Sequence, residues 1–295
     1  MIEQVVTPVT HDLGAFKVRR ALPARERTMV GPFIFVDQFG PAQMQPGKGM
    51  DVRPHPHINL ATVTYLFDGA IQHKDSLGSD QRIEPGAINL MTAGKGIVHS
   101  ERSPADMRAR GPSFYGMQTW LALPDGKEEV DPAFEHVPDS GLPLVEGEGV
   151  ALRVLMGTLF GHTASTTCHS PTIYADIMLS AGASLAIEAE ADERAIMVAE
   201  GDAELDGERL EPFALYVLAP GHRPVLRAAS PTRAMLLGGE AFATRRHVYW
   251  NFVSSSKERI SQAKEDWIER RFPLVPGDEE EFIPFPAVPK TVSYP

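Results

Sequence analysis

The chain has 295 residues, 43% of them hydrophobic, and its 28 basic against 39 acidic side chains leave a formal net charge of −11. That length supports one large domain or two ordinary ones with a real core, and the acidic field disfavours direct contact with nucleic acid or an anionic membrane. The amino terminus lacks a basic region followed by an apolar run, no window approaches the roughly 18 apolar residues of a spanning helix, and a single cysteine, Cys168, permits no internal disulfide, so a cytoplasmic and reducing location is expected.

Twenty-five glycines and 25 prolines imply many turns between short strands, hence a mainly β chain. The basic clusters Lys17-Val18-Arg19-Arg20 and Thr244-Arg245-Arg246-His247 are short enough to be solvated surface. Residues 33–36 form the first apolar run. His55-Pro56-His57 follows, and on a strand residues two apart project from one face, so both imidazoles can enter one cavity. Asn59 would continue that face. Residues 61–67 form the next strand, ended by Asp68-Gly69. Residues 77–80 read as a hairpin turn and 84–86 as another before a strand at 87–90. His73, between the two, is expected at the surface or behind the ligands. Thr92-Ala93-Gly94-Lys95-Gly96-Ile97-Val98-His99-Ser100-Glu101 repeats the two-apart spacing with an imidazole and a carboxylate. Residues 117–120 are a strand candidate from which Gln118 could reach the cavity.

Residues 125–149 are rich in Asp, Glu, Pro and Gly, so they read as a connection, and a domain boundary falls there. Beyond it the pattern weakly repeats: a strand at 195–200, a hairpin at 205–208 and a strand at 215–218. Aligning the turns puts His55, His57, His99 and Glu101 on Ile187, Ala189, Leu226 and Ala228, so the second half would keep the fold without the donors. Residues 255–272 change to a helical period, with Ile260, Ala263, Trp267 and Ile268 on one face and Ser255 with Glu258 as a capping box. The Pro-rich stretch 273–295 is expected to be an extended or partly disordered tail.

Three imidazoles and one carboxylate without thiolates suit a divalent transition metal, and four protein donors leave positions open on a six-coordinate ion. Cys168 beside His169 is expected to be an ordinary loop or core residue.

These residues resemble the pirin family of the cupin superfamily. The resemblance rests on Pro54-His55-Pro56-His57 with Thr62-Val63-Thr64-Tyr65-Leu66, Gln72-His73-Lys74-Asp75-Ser76 and above all residues 91–101. Gly31-Pro32-Phe33, Phe39-Gly40-Pro41, Gln118-Thr119-Trp120-Leu121 and Ile260-Ser261-Gln262-Ala263 add to it. It implies a bicupin of two stacked antiparallel jelly-roll β-barrels with a short C-terminal helix. A metal-binding cupin at 1–135 would be followed by a metal-free one at 136–295. Iron(II) would be held by His55, His57, His99 and Glu101, although the ligand set alone also admits manganese, nickel, zinc, copper or cobalt.

The activity it implies is that of the pirin-type quercetinases, 2,3-dioxygenases that open the central ring of a flavonol such as quercetin with O2 and release carbon monoxide. Glu101 would be the catalytic residue, accepting the 3-hydroxyl proton. The rival reading is a redox-sensing regulator that binds a protein partner, either a transcription factor or a metabolic enzyme. A monomer is expected. Departures from the common family pattern at Asn59, Ala61 and Lys95 touch the pocket rather than the ligand set.

Overall fold

The structure is a computed structural model that describes residues 1–12, 16–287 and 291–292. It resolves two compact units. One comprises Met1–His11, Arg19–Gln38 and Val137–Phe242, and the other Asp12–Val18, Phe39–His136 and Ala243–Pro295.

The unit centred on 39–136 carries both histidine pairs. Its four-stranded sheet runs Asp51–His57, Ile97–Arg102, Ile71–Asp75, Asp80–Ile83, every pairing antiparallel. The hairpin turn expected at 77–80 is there, closed by Asp75 Oδ1, which accepts from the backbone N–H of Leu77 at 2.9 Å and of Ser79 at 3.1 Å. A second sheet runs Ala133–Val137, Ile88–Thr92, Leu60–Gly69, Ser113–Ala122 and continues into Phe33–Gln43. Leu66, Ile71, Ile83, Phe39 and Phe114 are buried together in the core.

The other unit repeats this plan. Its larger sheet runs Ile2–Val6, Leu215–Leu218, Glu193–Glu200, Thr232–Gly239, Thr172–Leu179, Val150–Met156, Leu144–Gly147, and its four-stranded sheet runs Ser184–Ala186, Val225–Ala228, Ala203–Leu205, Glu208–Arg209. The hairpin expected at 205–208 turns on Asp206 and Gly207, both at positive φ, as a two-residue turn with the twist of the flanking strands requires.

Several expectations need correction. The stretch 125–149 is more than a connection, because Ala133–Val137 and Leu144–Gly147 are strands at the two sheet edges. Edge strands bury little and tolerate the charges and prolines that hid their period. The terminal helix spans Lys257–Ile268 and is capped by Ser256, whose hydroxyl accepts from the Arg259 N–H. Ser255 instead donates its backbone N–H to Glu128 at 2.7 Å. Ile260 and Ala263 are buried against Ile58 and Phe252 with Trp267 alongside, whereas Ile268 is 56% exposed. Arg246, expected in solvated surface, is buried and bonds the Leu123 carbonyl at 2.8 Å and Asp125 at 2.7 Å.

The tail is tied down where it is described. Asp278 takes both Arg102 Nε and Nη2, at 2.9 and 2.8 Å, and the Ile283 N–H donates to the Pro54 carbonyl at 2.8 Å. The rest of the expected tail, 288–290 and 293–295, lies outside the described residues.

Candidate metal centre

The ladder between Asp51–His57 and Ile97–Arg102 brings the donors together. His99 stands directly opposite His55, and Ile97 opposite His57. The three imidazoles of His55, His57 and His99 each offer a nitrogen, all mutually within 4.8 Å, and ring centroids are 4.4 to 5.1 Å apart. All three side chains are buried. Gly94 and Gly96 make the entry to the second strand possible. Gly94 has φ +49, and a side chain there would run into the Val130 carbonyl.

Two of the rings are oriented by backbone oxygens. His55 Nδ1 lies 2.9 Å from the Arg53 carbonyl and His57 Nδ1 2.9 Å from the Asn251 carbonyl. An acceptor at Nδ1 puts the proton there and leaves Nε2 with its lone pair, the form that ligates a cation. Neither ring nitrogen of His99 has a hydrogen-bond partner among the described residues.

Burial is the leading reason that all three resist protonation. It pushes His55 down to about 4 despite the Arg53 carbonyl, and it holds His57 and His99 well below the usual imidazole range, with the neighbouring histidines adding to the effect. A buried cluster of neutral imidazoles, one with both nitrogens unsatisfied, fits a divalent cation. A cation would satisfy the lone pairs that the protein leaves open.

Glu101 follows two residues along the same strand, past a register shift in its pairing with Asp51–His57. Its carboxylate is buried, is not one of the donors that all lie within 4.8 Å of one another, and meets Thr64 Oγ1 at 3.3 Å. Burial raises its pKa, opposed by the charge of His73 and the Thr64 hydroxyl.

His73 sits opposite Glu101 in the ladder, buried and stacked on Phe134 with ring centroids 4.4 Å apart. Its Nε2 bonds Asp75 at 3.0 Å. For Asp75 burial pushes upward, yet hydrogen bonds from His73 and Ser79 outweigh it and keep the carboxyl below its usual value. His73 is therefore behind the three-histidine group, its ring 5.3 Å from that of His99.

Asn59 does not continue the histidine face. At φ +56 it has left the strand, and its side-chain amide donates to the Glu128 carbonyl at 2.8 Å and to Glu129. Gln118 does reach the Glu101 side of the site, through Thr64 at 2.8 Å. The Asn251 carbonyl had no signal in the sequence, being a backbone group 194 residues from His57.

The equivalent sheet of the other unit carries no such donors. Leu226 pairs with Leu185 on one side and Leu205 on the other, Ala228 pairs with Ala203, and the Ile187 N–H meets the Pro224 carbonyl. By ladder position Leu185, Ile187, Leu226 and Ala228 thus stand for His55, His57, His99 and Glu101. The first two counterparts lie two residues earlier than the turn alignment gives, a slip that keeps the same face.

The family model described as Pirin matches residues 15–121, and that of the Pirin C-terminal cupin domain matches 174–273. A Caulobacter vibrioides pirin-like protein is 47% identical over 289 residues, 97% of this chain and 100% of its own. A crystal structure of a quercetin 2,3-dioxygenase from Acinetobacter baumannii superposes with TM-score 0.90 at 34% identity, covering 98% of this chain and 97% of that one. A second structure of that name and organism gives TM-score 0.85 at 25% identity, over 92% and 97%.

Proposed function

The chain belongs to the pirin family and has its mainly β bicupin fold, and from that premise we propose that it is an iron-dependent dioxygenase acting on a flavonol such as quercetin. The observation that carries this reading is the convergence, from two paired strands, of three buried, neutral imidazoles within 4.8 Å, with a buried carboxylate two residues past His99 on its strand. A likeness over nearly its whole length to a protein named quercetin 2,3-dioxygenase supports it.

His55, His57 and His99 would hold the ion, with Glu101 as the fourth donor. Iron(II) in that place would relay electrons from the bound flavonol to O2, whose direct reaction with a closed-shell aromatic molecule is spin-forbidden. The protein's own groups do the rest. The Arg53 and Asn251 carbonyls keep the proton of each imidazole on Nδ1, so Nε2 stays directed away from the backbone. Trp120 packs edge-on against His57 at 5.0 Å and helps to keep water from that ring. Glu101, with its raised pKa, is suited to take the proton of the substrate's 3-hydroxyl on a carboxylate oxygen.

Oxygen uptake by anaerobically iron-loaded protein tests the proposal. Uptake should require both quercetin and His57, with His57→Ala as the control, and no uptake from a verified iron-loaded sample overturns it. Glu101→Gln should impair turnover more than metal content, and equal loss of both would remove the base from the account.

A further inference from the structure

Thr64 stands between two acceptors. Its Oγ1 lies 2.8 Å from Gln118 Oε1 and 3.3 Å from Glu101 Oε1. A hydroxyl has one hydrogen, so one acceptor is served at the expense of the other, and the nearer here is Gln118. The register brings the two side chains within reach, because Thr64 and Gln118 are direct partners in the ladder between Leu60–Gly69 and Ser113–Ala122. Directly paired residues project from the same side of a sheet, so both side chains face Glu101.

Glu101 is buried with Thr64 as its hydrogen-bond partner, and its carboxylate does not join the group formed by His55, His57 and His99. Its hold is therefore a weak one: the hydroxyl that contacts it spends its hydrogen on an amide.

We propose that Thr64 and Gln118 are positioning residues that together set how firmly Glu101 is held on the Thr64 side of the site. Gln118 draws the Thr64 hydrogen toward itself and so keeps Glu101 loosely tethered, free to turn toward a cation or toward a substrate proton. The inference rests on the metal-site reading above and gives Glu101 the mobility that its dual role needs. Removing the hydroxyl frees the carboxylate to ligate. Removing the amide oxygen returns the hydrogen to Glu101 and ties it back. The two changes act in opposite directions, which distinguishes positioning from a loss of packing that would weaken the site in both.

The test is cobalt(II) affinity of the full-length metal-free chain, measured by competition with a chromophoric chelator, with the visible spectrum of bound cobalt as a second readout. Thr64→Val keeps the branched shape that suits a strand and should tighten cobalt binding about tenfold, with weaker visible absorption as a further ligand joins; Gln118→Met should loosen it by about the same factor. Thr64→Ser should restore the wild-type value. In a Glu101→Gln background both shifts should disappear, since there is no carboxylate left to position.

Shifts of the same sign in the two variants, shifts below about twofold, or shifts that persist without Glu101 overturn the proposal. Should Thr64→Val fail to fold, the direction of Gln118→Met and its dependence on Glu101 decide alone. A wild-type chain that binds cobalt but shows no quercetin-dependent oxygen uptake overturns the enzymatic reading and leaves this one standing. A chain that binds no cobalt overturns both.

Discussion

The two four-stranded sheets have the same strand order, and the same ladder positions hold opposite chemistry. In one, His55, His57, His99 and Glu101 are backed by His73 and Asp75; in the other, Leu185, Ile187, Leu226 and Ala228 are backed by Ala203 and Leu205. The second unit has its own buried cation. Arg194 is fully buried, and its guanidinium donates to the carbonyls of Glu188 at 2.9 Å, His222 at 2.7 Å and Ala219 at 3.2 Å. A covalently attached guanidinium thus ties together the loops after Ser184–Ala186 and after Leu215–Leu218. The fold needs only side chains that fill these positions; whether they bind an ion is decided by a few of them.

Making one site resemble the other should have the largest effect. His99→Leu copies the counterpart Leu226. It should cost more than the about 100-fold in metal affinity that disturbing a ligand's outer partners can cost, while circular dichroism stays that of the folded protein. Retained metal at wild-type affinity would show that His99 is not a ligand. The change chosen in the other unit is Arg194→Met. It leaves buried carbonyls without donors and should lower unfolding free energy by about 2–4 kcal/mol in urea, with metal content of the folded protein unchanged. Metal loss in Arg194→Met would mean that the two sites are not chemically independent.

The three-histidine group was legible because strand alternation turns a spacing of two into a shared face, so His55, His57 and His99 could be brought together without coordinates, with Glu101 following His99 on its strand. The fold followed from turn signals at residues such as Gly69 and Asp206-Gly207, where positive φ is required. Asn59 misled because its side chain suits a left-handed turn as well as a strand end, and the choice is made by its hydrogen bonds to 128 and 129. The strands Ala133–Val137 and Leu144–Gly147 were hidden because edge strands need little apolar alternation. Arg246 and Arg194 show the same limit: a buried guanidinium is accommodated by backbone carbonyls, which leave no mark in a sequence.

Proton linkage sharpens the comparison, since only the histidine-bearing unit should respond through its site. The three histidines have lowered pKa values in the folded chain, His55 to about 4 against an ordinary 6.5. Between these values the unfolded chain binds more protons than the folded one, so stability is full above 6.5 and falls as the pH drops toward 4. For His55 alone the shift corresponds to about 3 kcal/mol. Glu101, whose pKa is raised, works the other way and offsets part of this loss. Metal-free protein should therefore show a melting temperature that declines over pH 6.5 to 4 more steeply in wild type than in His55→Leu. Equal slopes would mean that the imidazoles are solvated and that the ligand site is open to water.

The smallest expected effect concerns a part that the apolar site lacks. The segment before the helix Lys257–Ile268 supplies the Asn251 carbonyl to His57, and the helix docks Ile260 and Ala263 beside Ile58 and Phe252. Ser256→Ala removes the cap on the Arg259 N–H and should cost about 1 kcal/mol of stability. If the docked helix is what holds Asn251 in place, metal affinity should weaken slightly in the same variant and recover with Ser256→Asp, which caps as well as serine. A stability loss with no change in affinity would instead assign the position of Asn251 to the hairpin His247–Tyr249 and Phe252–Ser254 alone. The helix would then serve the fold of its unit without reaching the metal ligands.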